Sequence, residues 1–229
     1  MIEVTIENEK LDYYGEEAYK SLRTNLQFCG EEQKVIAITS CTPNEGKSSV
    51  AMNLCISLSE AGKKVLLVDA DLRKSVLAGR VNVGKKIKGL THFLSKQEAL
   101  QDVVCITNVE NLHIIFAGPT PPNPAELLGS KTFKSLIVAV RKVYDYVIID
   151  TPPLGSVIDS AIVADECDGA VLVIEAGVIS YRFAQSVKAQ LTMSNCPILG
   201  AVLNKVDRTK QSKYGRYGKY YGKYHGKYQ

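Results

Sequence analysis

The sequence of 229 residues lacks several features that would assign it to a class directly. It has no tryptophan, and its three histidines are too scattered along the chain to predict a metal site. Its six cysteines form no C-x-x-C pair and lie mostly among apolar residues, which indicates reduced, packed thiols. No apolar run approaches the roughly 20 residues that span a bilayer. The N-terminus is acidic and alternating, unlike a signal peptide, so a cytoplasmic location is expected.

Acidic residues are also absent from the last 22 positions, and this absence divides the chain. All 24 acidic residues and 21 of the 28 lysines and arginines lie in residues 1–207, so the net charge of +4 separates into −3 there and +7 in residues 208–229. We therefore predict one domain over residues 1–207 and a flexible, basic, low-complexity tail over residues 208–229. Half of the twelve tyrosines lie in this tail: Tyr214, Tyr217, Tyr220, Tyr221, Tyr224 and Tyr228.

Apolar runs and helical segments alternate through the rest of the chain. Most of the apolar runs are continuous, which is typical of strands buried on both faces of a sheet. This order predicts an α/β fold with a doubly wound, mostly parallel sheet and helices on both faces. The predicted strands are Val35–Thr39, Lys64–Val68, Leu112–Phe116, Tyr146–Ile149, Ala170–Ile174 and Pro197–Leu203. The predicted helices are Gly15–Phe28, Ser48–Ala61, Lys131–Tyr144, Ile158–Glu166 and Ser180–Ser194, and residues 74–90 and 117–125 are predicted loops.

The segment after the first core strand has the spacing of a phosphate-binding loop, or P-loop. Residues 41–48 match G-x-x-x-x-G-K-[ST], except that Cys41 replaces the first glycine. Backbone N–H groups of such a loop cradle phosphates, the lysine reaches the terminal phosphates and the serine holds Mg²⁺. The motif therefore predicts a P-loop NTPase fold that binds a nucleotide. The predicted contacts in this segment are Asn44, Glu45, Gly46, Lys47, Ser48 and Ser49.

Carboxylates follow two further strands of the predicted sheet. Asp69 and Asp71 end one strand and Asp150 ends another, at the sheet edge where ligands bind in parallel α/β folds. Alternation points Asp69 and Asp71 to the same side, so they either share a Mg²⁺ or divide metal positioning and proton acceptance. Asp150 is suited to hold Mg²⁺ directly or through water. Arg73 is a further predicted nucleotide contact, and the structural alternative is an aspartate that only caps the next segment.

Two negative observations narrow the class of NTPase. ATPases that partition DNA or place division sites carry a lysine five residues before the loop lysine, where this chain has Thr42. Residues 204–207 read Asn-Lys-Val-Asp, like the guanine-reading N-K-x-D of GTPases, but Asp150 is followed by Thr-Pro-Pro instead of continuing as D-x-x-G. We therefore expect no guanine preference, and contact of Asn204 with the base stays open.

Together these motifs resemble the bacterial tyrosine kinases of capsule and exopolysaccharide synthesis, most of all the cytoplasmic kinase subunit of Gram-positive bacteria. The resemblance covers almost the whole chain. Its motifs are residues 42–48, 65–73, 118–128 and 150–153 and the C-terminal tyrosine cluster. It implies ATP- and Mg²⁺-dependent autophosphorylation of the tail tyrosines between neighbouring subunits.

The resemblance also implies roles for individual residues. Lys47 and Ser48 bind phosphates and Mg²⁺, Asp71 and Asp150 belong to the metal environment, and Asp69 orients or deprotonates the acceptor tyrosine. A carboxylate suits the last role because a tyrosine hydroxyl with a pKa of about 10 is mostly protonated at neutral pH. The sequence leaves open which of Asp69 and Asp71 is the base.

Partners are implied by the same resemblance. Glu17, Lys20 and Arg23 match an E-x-x-R-x-x-R motif of ring assembly, with Lys20 in place of an arginine, so a ring-shaped homo-oligomer is expected. Lysine does not reproduce the bidentate arginine fork, and the alternative is a local ion pair on a solvated helix face. A transmembrane activator of the polysaccharide chain-length type, which recruits the kinase to the inner face of the membrane, and a cognate phosphotyrosine phosphatase are also implied.

Two alternatives stay open at this point. The tyrosines and lysines of the tail would also suit single-stranded nucleic acid or an anionic membrane, although no nucleic-acid partner is expected beside a kinase domain. The second function considered is a non-kinase P-loop ATPase switch of the partitioning or division-site type, whose hydrolysis toggles a dimer.

Overall fold

The structure, a computed structural model, describes residues 2–7, 11–82 and 87–207. The strands within these ranges are β1 Ile2–Ile6, β2 Val35–Ser40, β3 Val65–Asp69, β4 Val81–Asn82, β5 Val104–Thr107, β6 Leu112–Ile115, β7 Tyr146–Asp150, β8 Gly169–Glu175 and β9 Ile198–Asn204. The helices are α1 Tyr13–Gln27, α2 Lys47–Glu60, α3 Leu90–Leu94, α4 Leu100–Val103, α5 Pro124–Leu128, α6 Lys131–Arg141, α7 Asp159–Ala164 and α8 Tyr181–Thr192, with a 3₁₀ turn at Ala78–Arg80. No helix in these ranges is long and apolar enough to cross a membrane.

The strands of this part of the chain form one sheet in the order β4-β1-β5-β6-β3-β7-β2-β8-β9. Every neighbouring pair is parallel except β1 with β4 and β5 with β6. Strands β2, β3 and β7 are buried at every position, because helices cover both faces of the sheet. The predicted doubly wound, mostly parallel α/β fold is therefore confirmed.

Side-chain caps mark the start of three of the long helices, α1, α6 and α8. Asp12 accepts a hydrogen bond from the backbone of Gly15 at the start of α1, at 2.8 Å. Ser130 and Ser180 cap α6 and α8 in the same way, each at 3.2 Å. Helix α6 ends three residues before the predicted Tyr144, which lies in the turn into β7 with its hydroxyl 2.8 Å from His113 Nδ1.

Several short elements lie outside the predicted pattern. Strands β1 and β5, which pair in parallel, and helices α3 and α4 were not predicted. Each has only four or five residues, too few to show a periodic pattern in the sequence. Residues predicted as loops contain the 3₁₀ turn, β4 and the start of α5, whose first residue is Pro124. Proline is favoured at the first position of a helix because its missing N–H would have no partner there.

Candidate active site

The P-loop joins β2 to α2, and its backbone turns through left-handed conformations. Asn44 has φ +68° and Gly46, the N-cap residue of α2, has φ +91°. The positive φ favours glycine here, and a Cβ would lie 2.2 Å from Asn204 Nδ2 and displace that amide. Cys41, which replaces the first motif glycine, is fully buried, and burial raises the pKa of its thiol to about 11. It therefore packs as a neutral side chain.

The loop lysine reaches two of the predicted carboxylates. Lys47 Nζ lies 3.2 Å from Asp71 Oδ2 and 3.6 Å from Asp150 Oδ1, and it also contacts Ser48 Oγ at 3.3 Å. All four side chains are buried, with Lys47 only 8% exposed. The structure thus brings residues from α2, β7 and the end of β3 into one group, as the motif spacing predicted.

Asp150 contains the least satisfied polar atom of this group. It is 1% exposed, and its Oδ1 has no hydrogen-bond partner within the described part of the chain, because the 3.6 Å separation from Lys47 is too long for a hydrogen bond. Burial raises the pKa of Asp150, although Lys47 and Ser48 favour its charged form. A buried oxygen without a donor is an open position for a cation.

Asp69 is the register partner of Asp150 across β3 and β7. Burial, together with the nearby charge of Asp150, raises the pKa of Asp69 to about 7. Its carboxylate accepts hydrogen bonds from the backbone N–H of Asp71, at 3.2 Å, and from the Ser75 hydroxyl. Ser75 had no signal in the sequence, since it lies in a predicted loop without a motif.

Arg73 pairs with a carboxylate that the sequence did not indicate. Its Nε and Nη2 donate to Asp159 Oδ2 and Oδ1 at 2.7 and 3.0 Å. Asp159 is fully buried at the start of α7, whereas the Arg73 side chain is 42% exposed. A nucleotide contact for Arg73 stays a prediction, and the bidentate pair is its structural role.

Side chains at the end of β9 donate hydrogen bonds to the backbone of the P-loop. Asn204 Nδ2 donates to the backbone carbonyl of Glu45 at 2.8 Å, and Lys205 Nζ donates to that of Asn44 at 2.6 Å. The Glu45 carboxylate is itself turned inward, away from solvent. Ser49 lies half-buried in the first turn of α2. The structure shows the Asn204 amide bonded to the loop backbone. Contact of Asn204 with a base stays a prediction.

The three residues of the predicted oligomer contact separate into two groups. Glu17 and Lys20 form an ion pair with each other at 2.8 Å, both about half exposed. Arg23 crosses to α2, where its Nη1 donates to the Ser57 carbonyl at 2.6 Å. The local ion pair considered as an alternative is therefore present, and the role of these residues in assembly stays a prediction. The tail tyrosines lie outside the described residues.

The residue types at the site fit a magnesium ion that is shared with phosphates. No group of three or more histidine, cysteine, aspartate or glutamate side chains in the described ranges is arranged to hold a metal by itself. Mg²⁺, however, usually binds one or two carboxylates together with substrate phosphates and water. Ser48, Asp71 and the unsatisfied Asp150 Oδ1 provide such a set of oxygen ligands.

A mostly parallel sheet whose first core strand leads into a P-loop, with acidic strand ends around the loop lysine, defines a P-loop NTPase. An AAA domain family matches residues 33–183. The chain is 46% identical to the tyrosine-protein kinase CpsD of Streptococcus agalactiae over 205 residues, which cover 90% of this chain and 89% of that protein. The chain therefore belongs to the family of bacterial tyrosine-protein kinases.

Solved structures agree with this assignment. The chimerical protein CapA2B2 superposes with a TM-score of 0.81 at 30% identity, covering 91% of this chain and 95% of that one. The kinase domain of the Escherichia coli tyrosine kinase ETK gives a TM-score of 0.81 at 32% identity, covering 84% and 76%. The septum site-determining protein MinD of Pyrococcus horikoshii, solved with Mg-ADP, is more distant, with a TM-score of 0.65 at 26% identity over 76% and 71%. The kinases are thus more similar to this chain than the division-site ATPase is.

Proposed function

We propose that this protein is an ATP-dependent protein-tyrosine kinase that phosphorylates the C-terminal tyrosines of a neighbouring copy and thereby regulates capsule or exopolysaccharide synthesis. The observation that carries the proposal is the buried group in which Lys47 contacts Asp71 and Asp150, with Asp69 beside it. Membership of a family whose relatives are named tyrosine-protein kinases gives the reaction type.

The site residues divide the chemistry of phosphoryl transfer between them. A tyrosine oxygen forms a bond to the γ-phosphorus of ATP while the bond to the β–γ bridging oxygen breaks, and ADP leaves. The Lys47 ammonium offsets negative charge on the phosphoryl oxygens. Ser48, Asp71 and Asp150 would hold Mg²⁺, which neutralises phosphate charge when it is bound.

Asp69 is the better candidate for the base that accepts the tyrosine proton. A base works best when its pKa lies near the working pH, and the pKa of Asp69 is raised to about 7. Asp71 instead pairs with the ammonium of Lys47 at 3.2 Å, and we assign it to the metal. Within this proposal Asp69 is the base and Asp71 belongs to the metal environment.

The partners follow from the same reaction. Transfer between copies requires a homo-oligomer, for which a ring is the proposed form, and Glu17, Lys20 and Arg23 are its proposed contacts. We also propose a cytoplasmic location at the inner face of the membrane, a transmembrane activator of the polysaccharide chain-length type and a phosphotyrosine phosphatase. The similarity to the chimerical protein CapA2B2 supports a kinase joined to a second protein, and no nucleic-acid partner is proposed.

An experiment with two variants tests whether tyrosine is phosphorylated and whether one copy phosphorylates the other. One protein carries Lys47→Met with an intact tail, and the other has an intact site with all six tail tyrosines changed to phenylalanine. Incubation of the mixture with labelled ATP and Mg²⁺ should label tyrosines 214–228 of the Lys47→Met chain, and neither protein should be labelled alone. Phosphate release by the unmodified protein without labelled tyrosine would instead support the ATPase switch.

A further inference from the structure

The side chain of Glu45 is the most unexpected part of the P-loop. It is only 1% exposed although it is a carboxylate in a loop that would bind phosphates. Burying an unpaired charge is costly, so its partners determine why it is tolerated. The residue lies between Asn44 and Gly46, both of which have left-handed backbone conformations.

The Glu45 carboxylate ties two separate parts of the chain to the loop. Its Oε1 accepts hydrogen bonds from the backbone N–H and, at 3.0 Å, from the hydroxyl of Thr42 at the start of the loop. Its Oε2 accepts from the backbone N–H of Glu175, the last residue of β8, at 2.9 Å. Both oxygens therefore face donors, and the carboxylate crosses from the loop to the neighbouring strand.

Two residues at the end of β9 contact the loop backbone at Glu45 and at its neighbour Asn44. Asn204 and Lys205 donate to the carbonyls of Glu45 and Asn44, so those carbonyls point outward toward β9. Lys205 also pairs with the Glu175 carboxylate at 2.9 Å, which links the ends of β8 and β9. The Glu45 carboxylate is thus a side chain of the loop that reaches β8, whereas Asn204 and Lys205 are side chains from outside that reach the loop backbone.

We propose that Glu45 is a positioning residue that holds the P-loop in its phosphate-binding shape before the nucleotide arrives, by tying it to the end of β8. A loop held in this way loses less conformational entropy on binding, so its affinity for nucleotide is higher. The inference rests on the proposed nucleotide site and adds a residue whose side chain acts through the loop backbone.

The substitution Glu45→Gln tests the proposal with little change in volume. An amide has one acceptor oxygen, so its NH₂ group would face an N–H donor at either Thr42 or Glu175. Titration calorimetry of the full chain with ADP and Mg²⁺ should give an affinity lowered about tenfold, or about 1.4 kcal/mol. Glu60→Gln, an exposed residue at the end of α2, makes the same chemical change and should bind ADP as the unmodified protein does.

Thermal unfolding without nucleotide separates positioning from a general loss of fold. Glu45→Gln protein that stays folded at the titration temperature and binds ADP weakly supports the proposal. An ADP affinity equal to that of Glu60→Gln, or weak binding explained by an unfolded fraction, overturns it. The two proposals can also fail separately. If Glu45→Gln binds ADP more weakly than Glu60→Gln but the unmodified protein labels no tyrosine, the kinase function is contradicted and this inference stands.

Discussion

Asp69 and Asp150 are register partners on adjacent parallel strands, β3 and β7, and both are almost fully buried. Burial disfavours the charged form of both carboxylates, and a neighbouring carboxylate adds repulsion at each: Asp150 at Asp69, and Asp71 at Asp150. The pKa of each is accordingly raised, that of Asp69 to about 7. The site therefore contains a carboxylate that changes its charge near neutral pH.

Asp69→Asn should make the nucleotide-free protein more stable at about pH 8. The pKa of Asp69 is higher in the folded than in the unfolded protein. The protonated carboxyl therefore contributes its full share to the free energy of unfolding below about pH 4, and this contribution is lost as pH rises through about 7. The neutral amide avoids this loss, and urea unfolding should show a gain of about 2 to 4 kcal/mol. The gain should shrink towards about pH 5, and a variant less stable than the unmodified protein at both pH values would contradict the assignment.

Lys47→Met should reduce tyrosine labelling by at least about 100-fold. The ammonium is the charge that faces Asp71 and Asp150 and the proposed phosphoryl oxygens, and loss of one such preorganised donor typically has this effect. Initial rates of labelling at saturating ATP measure the change. The matched control is Lys131→Met on the exposed start of α6, and equal rates for the two variants would refute the site.

Arg73→Ala and Asp159→Asn should destabilise the protein by different amounts. Loss of Arg73 leaves a fully buried carboxylate without its bidentate partner, which we expect to cost about 2 to 3 kcal/mol after allowance for the exposure of the arginine. Asp159→Asn leaves the half-exposed guanidinium free to reach water and should cost about 1 kcal/mol. Urea unfolding at neutral pH measures both values, and the reverse order would show that Asp159 does not depend on Arg73.

Phosphorylation of the tail should reduce the size of the oligomer. Each phosphate adds about −1.5 to −2 charges, so about four modified tyrosines would cancel the +7 of residues 208–229. We expect this change to weaken docking of the tail on the mildly acidic domain. Light scattering should give a smaller mass for phosphorylated protein than for the variant with six phenylalanines, and identical masses would exclude an electrostatic switch.

The sequence by itself determined the order of the core elements and the sheet edge at which the candidate site lies. Continuous apolar runs and helical spacing are local patterns, and the P-loop motif fixes where a phosphate-binding loop must lie between strand and helix. Because parallel strands end at one edge of a sheet, the positions of Asp69, Asp71 and Asp150 along the chain were enough to place them together. The short strands β1, β4 and β5 have no comparable signal.

Only the tertiary structure decided what the partners of these residues are. Arg73 meets Asp159 across 86 positions, and Glu45 meets the backbone of Glu175 across 130. No local pattern encodes such contacts, since they depend on how β7, β8 and β9 are arranged around the loop. The raised pKa of Asp69 has the same origin, because burial and the neighbouring Asp150 arise only when β3 and β7 pair.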